Sequence, residues 1–216
     1  MVASNVKRIL AELSAGVDLV AAAKGRSAQE ILEAVEAGVR IVGENYVQDA
    51  EATYEAVGTR VKWHCIGHLQ TNKVKRAARL FDLVQTVDSM SLAREMDRRC
   101  SEIGKVMPIL VEINSADEKR KTGVLLQDAE SLVREIASLH NTRVMGLMTM
   151  GAAGNRGECL RPFFAATKRV FDDLARLSLP NVEMKYLSMG MSDSYKVAVD
   201  EGANMVRLGK AIFGER

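Results

Sequence analysis

The chain has 216 residues, and 47% of them are hydrophobic, which is enough to bury the core of one domain. We therefore expect residues 1–216 to form a single domain. Lys and Arg number 30 against 28 Asp and Glu, a formal net charge of +2. This balance lacks the basic excess that nucleic-acid or acidic-membrane binding requires, so we expect neither kind of partner.

Three cysteines are present, and their odd number and wide spacing suit neither a disulfide framework nor a structural zinc site. His64 and His68 lie on a strand-to-loop segment, where a spacing of four does not bring two imidazoles together, so we expect no metal site. No apolar run has the length of a membrane span, and the first residues do not form a signal peptide. We expect a soluble, cytoplasmic protein.

In chain order, an amphipathic N-terminal helix comes first, with Val6, Ile9, Leu10 and Leu13 on one face. Short apolar runs then alternate with longer segments of helical periodicity. The runs predict eight strands, at residues 17–23, 39–43, 62–67, 83–87, 107–113, 144–148, 184–188 and 205–208. Several runs are continuously apolar, which is typical of parallel strands covered on both faces.

Four segments between these strands predict helices. Residues 27–38 begin with a Ser cap, place Glu30 three residues later and close at Gly38, which indicates a capping-box helix. Residues 88–104, 126–140 and 161–177 are amphipathic, and Pro162 suits a first turn.

Eight strands alternating with helices predict an α/β fold, a single (β/α)8 TIM barrel with an extra N-terminal helix. The main alternative is an open doubly wound sheet. Such a sheet normally carries a GxGxxG turn after its first strand, and here that turn is AAKGRSA.

Lys24 lies where the first predicted strand should reach the mouth of the barrel, which is the working face of this fold. An amine among apolar side chains is costly to charge, which favours a neutral nucleophile able to form a Schiff base with an aldehyde cofactor. A lysine that only extends its amine to water from a strand end would show the same pattern, so both interpretations stay open at this point.

Two segments near the C-terminus indicate a phosphate site. Ser188, Gly190 and Ser192 follow the seventh predicted strand, and Gly209 follows the eighth at the start of a helix. The loops after strands seven and eight bind phosphate in many such barrels, because backbone N–H groups and the helix dipole favour an anion. Ordinary turns, with a Ser or Asp cap on the helix after strand seven, are the alternative.

Six motifs resemble those of one known family. They are Lys24, GENYVQ (43–48), HCIGHLQTNK (64–73), GLMTM (146–150), LSMGMSDS (187–194) and MVRLGKAIFG (205–214). In this order, and over nearly the whole chain, they are similar to the pyridoxal phosphate homeostasis proteins, relatives of the alanine racemase barrel.

The resemblance implies a fold-type III barrel that binds pyridoxal 5′-phosphate (PLP) as a Schiff base on Lys24. The implied cofactor-binding residues are Lys24, Asn45, Ser188, Gly190, Ser192, Arg207, Gly209 and Lys210. Ser188 or Ser192, with the backbone of Gly209 and Lys210, would hold the phosphate.

The chain departs from the family pattern at two points. Relatives usually carry a Ser-Lys-Thr segment around the lysine, where residues 23–26 are AKGR, and a small hydroxyl residue is common at the position of Lys210. The roles of the neighbours of Lys24, and any side-chain phosphate contact by Lys210, are therefore not implied.

By the same resemblance, Arg207 would face the pyridine nitrogen and Asn45 would lie beside the ring. A guanidinium stays protonated and does not readily give that nitrogen a proton, which makes the ring a weaker electron sink. Alanine racemase itself uses such an arginine, so this residue does not separate a carrier from a racemase.

The choice between carrier and racemase depends on a second base. Racemases of this type have a second domain that supplies a tyrosine across a dimer interface, and we expect none here. The expected function is intracellular PLP homeostasis by a monomer without catalytic residues, which buffers PLP or passes it to apo PLP-dependent enzymes. A PLP-dependent racemase that uses Tyr46 or Tyr195 as its base is the alternative.

Overall fold

A computed structural model describes residues 1–119 and 121–215. Within them, eight parallel strands form a closed barrel, with neighbours in the order β4-β3-β2-β1-β9-β8-β7-β5 and a β4–β5 pairing that closes the ring. The strands are β1 (Asp18–Ala22), β2 (Ile41–Glu44), β3 (Lys62–Cys65), β4 (Leu83–Val87), β5 (Met107–Asn114), β6 (Val124–Leu125), β7 (Thr142–Thr149), β8 (Val182–Ser188) and β9 (Met205–Leu208).

The predicted barrel and its eight strands are confirmed. A short ninth strand, β6, pairs with the end of β5 through Ile113 and Val124. Because it has two residues, it leaves no apolar run in the sequence by which it could be predicted.

Helices alternate with the strands and cover the barrel. They are α1 (Val2–Glu12), α2 (Ala28–Glu36), α3 (Val47–Val57), α4 (Val74–Leu80), α5 (Met90–Ser101), α6 (Ala129–Ile136), α7 (Arg161–Arg176), α8 (Tyr195–Asp200) and α9 (Lys210–Phe213). Across the part of the chain that the structure describes, none of the helices is both long and apolar enough to span a membrane.

Local sequence signals correctly predict how two of these helices begin. At α2, the Ser27 hydroxyl accepts a hydrogen bond from the Glu30 amide at 3.3 Å, and the Glu30 carboxylate accepts one from the Ser27 amide at 2.9 Å. Pro162 lies in the first turn of α7. The predicted side-chain cap on α8 is wrong, because the hydroxyl of its N-cap residue, Ser194, accepts from the Met191 amide in the preceding loop.

The N-terminal helix covers the start and the end of the barrel together. It buries Val2, Val6 and Ile9 and packs against α2 and α9. The Asn5 side chain donates to the carbonyl of Ile212 in α9 at 3.0 Å. Leu10 is 39% exposed, so it belongs to the edge of the predicted apolar face. This packing holds the short helix α9 beside the mouth of the barrel.

Candidate cofactor-binding site

A cavity of about 660 Å³ opens at the carboxyl ends of the strands. Six of the eight predicted site residues line it, namely Lys24, Asn45, Ser192, Arg207, Gly209 and Lys210. The other residues that line it are Ala22, Ile66, Met150, Arg156, Met191, Asp193 and Ala211. Residues from distant parts of the chain meet here because the carboxyl ends of all the barrel strands point the same way.

Lys24 lies two residues beyond the end of β1, in a turn closed by a hydrogen bond from the Arg26 amide to the Ala23 carbonyl at 2.8 Å. The residue is half-buried, and its Nζ lies 5.3 Å from the centroid of the Tyr46 ring. The amine is therefore held at the cavity between the apolar strand end and an aromatic face. This position favours a role in the cavity over simple extension into water.

Arg207 lies in the interior of the barrel below the cavity and is only 3% exposed. Its Nη1 donates to the Ser188 hydroxyl at 2.7 Å, and its Nη2 donates to the Thr149 carbonyl at 2.9 Å and approaches the Met150 sulfur at 3.2 Å. Burial lowers the pKa of Arg207 to about 10, and the charge of Glu112 opposes this shift. The guanidinium is still charged at neutral pH.

The two serines predicted for the phosphate site occupy different places. Ser188 is fully buried, accepts from Arg207 and donates to Gln85 Oε1 at 2.7 Å. Ser192 lines the cavity, and its hydroxyl accepts from the Ala211 amide in the first turn of α9 at 3.0 Å. Of the two, the geometry assigns Ser188 to Arg207 and Ser192 to the start of α9.

Gly209 allows the start of α9 to lie directly against the end of β1. A Cβ on Gly209 would lie 3.2 Å from the Ala22 carbonyl oxygen, closer than most real Cβ contacts. This close approach brings Ser192, Gly209 and the segment that carries Lys24 into one cavity.

Gly190 is required by packing against α8. It has φ +90°, and a Cβ there would lie 2.7 Å from the Ala198 Cβ and 2.8 Å from the Tyr195 Cα. Its carbonyl accepts from the Arg207 amide at 3.1 Å. The glycine thus lets the loop after β8 pack closely against α8. Gly190 is not among the residues that line the cavity in the described part of the chain.

The unusual Arg26 has a structural role in this chain. Its guanidinium donates to the carbonyls of Phe213 at 3.3 Å and Gly214 at 2.6 Å, and to Glu30 at 3.1 Å. Cations at a helix C-terminus satisfy carbonyls that lack helical partners, so Arg26 anchors the end of α9 to the loop after β1. Lys210 forms an ion pair with Glu215, and its backbone lies at the start of α9.

The tyrosines considered as bases lie in different environments. The Tyr195 hydroxyl donates to Glu12 at 2.6 Å, and burial together with that carboxylate raises the pKa of Tyr195 to about 12. This tyrosine ties α8 to α1 and is a poor base. Tyr46 is 47% exposed and lies beside Lys24.

His64 and His68 do not form a pair. His64 is buried in β3, where desolvation lowers its pKa to about 4, and His68 is exposed. Within residues 1–119 and 121–215, no group of three His, Cys, Asp or Glu side chains could hold a metal ion.

Sequence reasoning missed several residues that line or support the site. Ile66, Met150 and Met191 line the cavity but look like core residues in sequence. Arg156 and Asp193 approach each other at 3.7 Å, from loops that no local pattern connects. A signal did exist for Gln85, which supports Ser188: it is a lone amide in the apolar strand LVQTV, and a buried amide needs partners.

The chain matches the family model for the alanine racemase N-terminal domain over residues 2–216. It is 37% identical over 199 residues to the pyridoxal phosphate homeostasis protein of Aquifex aeolicus, covering 92% of this chain and 86% of the relative. It is 37% identical over 205 residues to the protein of that name from Escherichia coli K12, covering 93% of this chain and 86% of the relative.

Solved structures agree with this match. PipY of Synechococcus elongatus with PLP bound superposes with a TM-score of 0.91 at 30% identity, covering 99% of this chain and all of PipY. Alanine racemase of Clostridium difficile superposes with a TM-score of 0.79 at 15% identity, covering all of this chain and 56% of the racemase, and shows the shared fold. The chain therefore belongs to the alanine racemase N-terminal domain family, among the pyridoxal phosphate homeostasis proteins.

Proposed function

We propose that this chain binds PLP in the 660 Å³ cavity as a Schiff base on Lys24 and serves PLP homeostasis. The observation that carries the proposal is the convergence in that cavity of an amine, a buried guanidinium and the start of α9, contributed by Lys24, Arg207 and Gly209. PLP presents an aldehyde, a pyridine ring and a phosphate, and each of these has a chemical counterpart among the three.

The phosphate end fits Ser192, Gly209 and the backbone at Lys210. The Ser192 oxygen accepts from the Ala211 amide, so the hydroxyl proton is directed elsewhere and suits an anion. Gly209 keeps the backbone open at the point where a Cβ would crowd the Ala22 carbonyl. Gly190, in the same loop as Ser192, links that loop to β9, because its carbonyl accepts from the Arg207 amide.

The ring end fits Arg207 and Asn45. When bound, PLP supplies an aldehyde that links to an amine and a pyridine ring that can act as an electron sink. Arg207 is charged and held by Ser188 and Thr149, so it can donate a hydrogen bond to a ring nitrogen but does not release its proton. Such a partner suits binding of the ring, and it is compatible with a carrier and with a racemase alike.

The proposal extends to what the protein does with its cofactor. We expect it to act in the cytoplasm as a monomer, to form one domain over residues 1–216, and to buffer PLP or pass it to apo PLP-dependent enzymes without turnover of its own. Buried Cys65 and Cys100 and exposed Cys159 are free thiols, which suit a reducing compartment.

The attachment is tested by trapping. Borohydride reduction of PLP-loaded protein followed by peptide mapping is expected to place the adduct on Lys24. Lys24→Ala should lose the adduct and the imine absorption, whereas Lys210→Ala, which removes another amine lining the cavity, should keep both. An adduct of full yield in folded Lys24→Ala protein would contradict the proposal.

Hydrogen exchange separates storage from turnover, and two further measurements test the oligomeric state and the transfer of PLP. Incubation of an L-amino acid with PLP-loaded protein in deuterated water should leave Cα unexchanged, and rapid exchange that is lost in Tyr46→Phe would support the racemase alternative. Sedimentation should give the monomer mass. Reactivation of an apo PLP enzyme by PLP-loaded protein, with a trap for free PLP present, distinguishes direct transfer from buffering.

A further inference from the structure

A chain of buried polar side chains crosses the interior of the barrel beneath the cavity. Arg207 on β9 donates to Ser188 on β8 at 2.7 Å, and Ser188 donates to Gln85 Oε1 on β4 at 2.7 Å. Gln85 Nε2 lies 3.0 Å from His64 Nδ1 on β3 and 3.3 Å from the Met205 sulfur. Ser188 and Gln85 are fully buried, and His64 is 5% exposed.

Arg207 determines the direction of each hydrogen bond in this series of buried side chains. A guanidinium has only donors, so the Ser188 oxygen must accept from it and the Ser188 proton is left for Gln85 Oε1. The Gln85 amide then turns its NH2 group toward His64, and the nearby Met205 sulfur, a weak acceptor, suits the same orientation.

This orientation requires His64 to be neutral with an unprotonated Nδ1. A protonated ring would place an N–H donor against the NH2 group of Gln85. His64 is buried in the interior, where desolvation disfavours the charged form. The burial of His64 and the polarity set by Arg207 therefore require the same protonation state, although the two residues lie on different strands.

We propose that Gln85 and His64 are positioning residues for Arg207: neutral His64 orients the Gln85 amide, Gln85 orients the Ser188 hydroxyl, and Ser188 fixes the guanidinium at the face it presents to the pyridine ring of PLP. The inference rests on the proposed function, since it assigns these residues to that cofactor. The Thr149 carbonyl, bound to Nη2, is the second anchor of Arg207.

The test compares PLP-loaded variants by absorption spectrum and by PLP dissociation constant. Gln85→Leu and His64→Leu interrupt the chain and are expected to shift the absorption of bound PLP and weaken binding about fivefold, the scale of a lost buried hydrogen bond. His64→Asn places an amide oxygen near the position of Nδ1 and should restore both values. Thr167→Val removes a buried hydroxyl that bonds within α7 and should change neither.

Nitrogen-15 NMR and mapping of the PLP adduct keep the outcomes distinct. Nitrogen-15 NMR of the histidines in the cofactor-free protein should show His64 as the neutral tautomer protonated at Nε2, and a proton on Nδ1 would overturn the inference. If both leucine variants keep the wild-type spectrum and affinity and carry the adduct on Lys24, the inference is overturned and the proposed function stands. If Gln85→Leu does not fold, the comparison of His64→Leu with His64→Asn decides the inference. An adduct elsewhere than Lys24 would refute the proposed function itself.

Discussion

The Ser192 hydroxyl accepts a hydrogen bond from the Ala211 amide at 3.0 Å, which joins the loop after β8 to the first turn of α9. We expect Ser192→Ala to weaken PLP binding roughly tenfold, because it removes both this link and the hydroxyl that we propose donates to the phosphate. Equilibrium dialysis measures the effect. The matched control is Ser89→Ala, which removes a serine that accepts from the Leu92 amide at the start of α5. Equal dissociation constants for the Ser192 variant and wild type would contradict the assignment.

Arg26 is expected to stabilise the fold. Its side chain is 12% exposed and bonds the Phe213 and Gly214 carbonyls, so Arg26→Ala should lower the free energy of unfolding by about 2 kcal/mol. Urea unfolding followed by circular dichroism gives the value. Arg134→Ala breaks an exposed pair with Glu130 on α6 and should cost less than about 0.5 kcal/mol. A similar small cost at both positions would show that Arg26 does not anchor α9.

Gly190→Ala should destabilise the protein more than backbone strain alone explains. Gly190 and Gly104 both have positive φ, but a Cβ on Gly104 meets nothing within 4 Å, whereas one on Gly190 would overlap Ala198 and the Tyr195 backbone. We expect a loss of about 1 kcal/mol for Gly104→Ala from strain and about 3 kcal/mol or more for Gly190→Ala. Thermal and urea unfolding of the two variants test the difference, and equal losses would remove the packing explanation for Gly190.

His64 should make the fold sensitive to acid. Burial lowers its pKa from 6.5 to about 4, so below pH 6.5 the unfolded chain binds a proton that the folded protein does not. This contribution is complete above pH 6.5 and is lost as the pH falls to 4, by about 3 kcal/mol in total.

The measurement is the free energy of unfolding of wild type and His64→Asn between pH 7 and pH 4. Because the variant lacks the titrating ring, the free energy of unfolding of wild type should fall relative to that of the variant as the pH falls. The charges of Asp82 and Lys62 near His64 act in both proteins. A difference that stays constant over this range would show that His64 does not titrate as the fold requires.

Features that depend on neighbours along the chain follow from the amino-acid sequence alone. Alternating apolar runs and helical segments predicted the barrel, and Ser27 with Glu30 predicted the start of α2. Strand ends also marked Lys24 and Gly209 as residues of the mouth, since every parallel strand of a barrel ends on the same side.

Contacts between side chains of different strands and loops follow only from the three-dimensional fold. Ser188 and Ser192 are four residues apart and chemically alike, yet one binds Arg207 in the interior and the other binds the start of α9. Gln85 and Ser188 are 103 residues apart in sequence and meet at 2.7 Å. Local propensity and periodicity describe a residue's own element, whereas these contacts depend on how eight strands close into a ring, and that closure is a property of the whole chain.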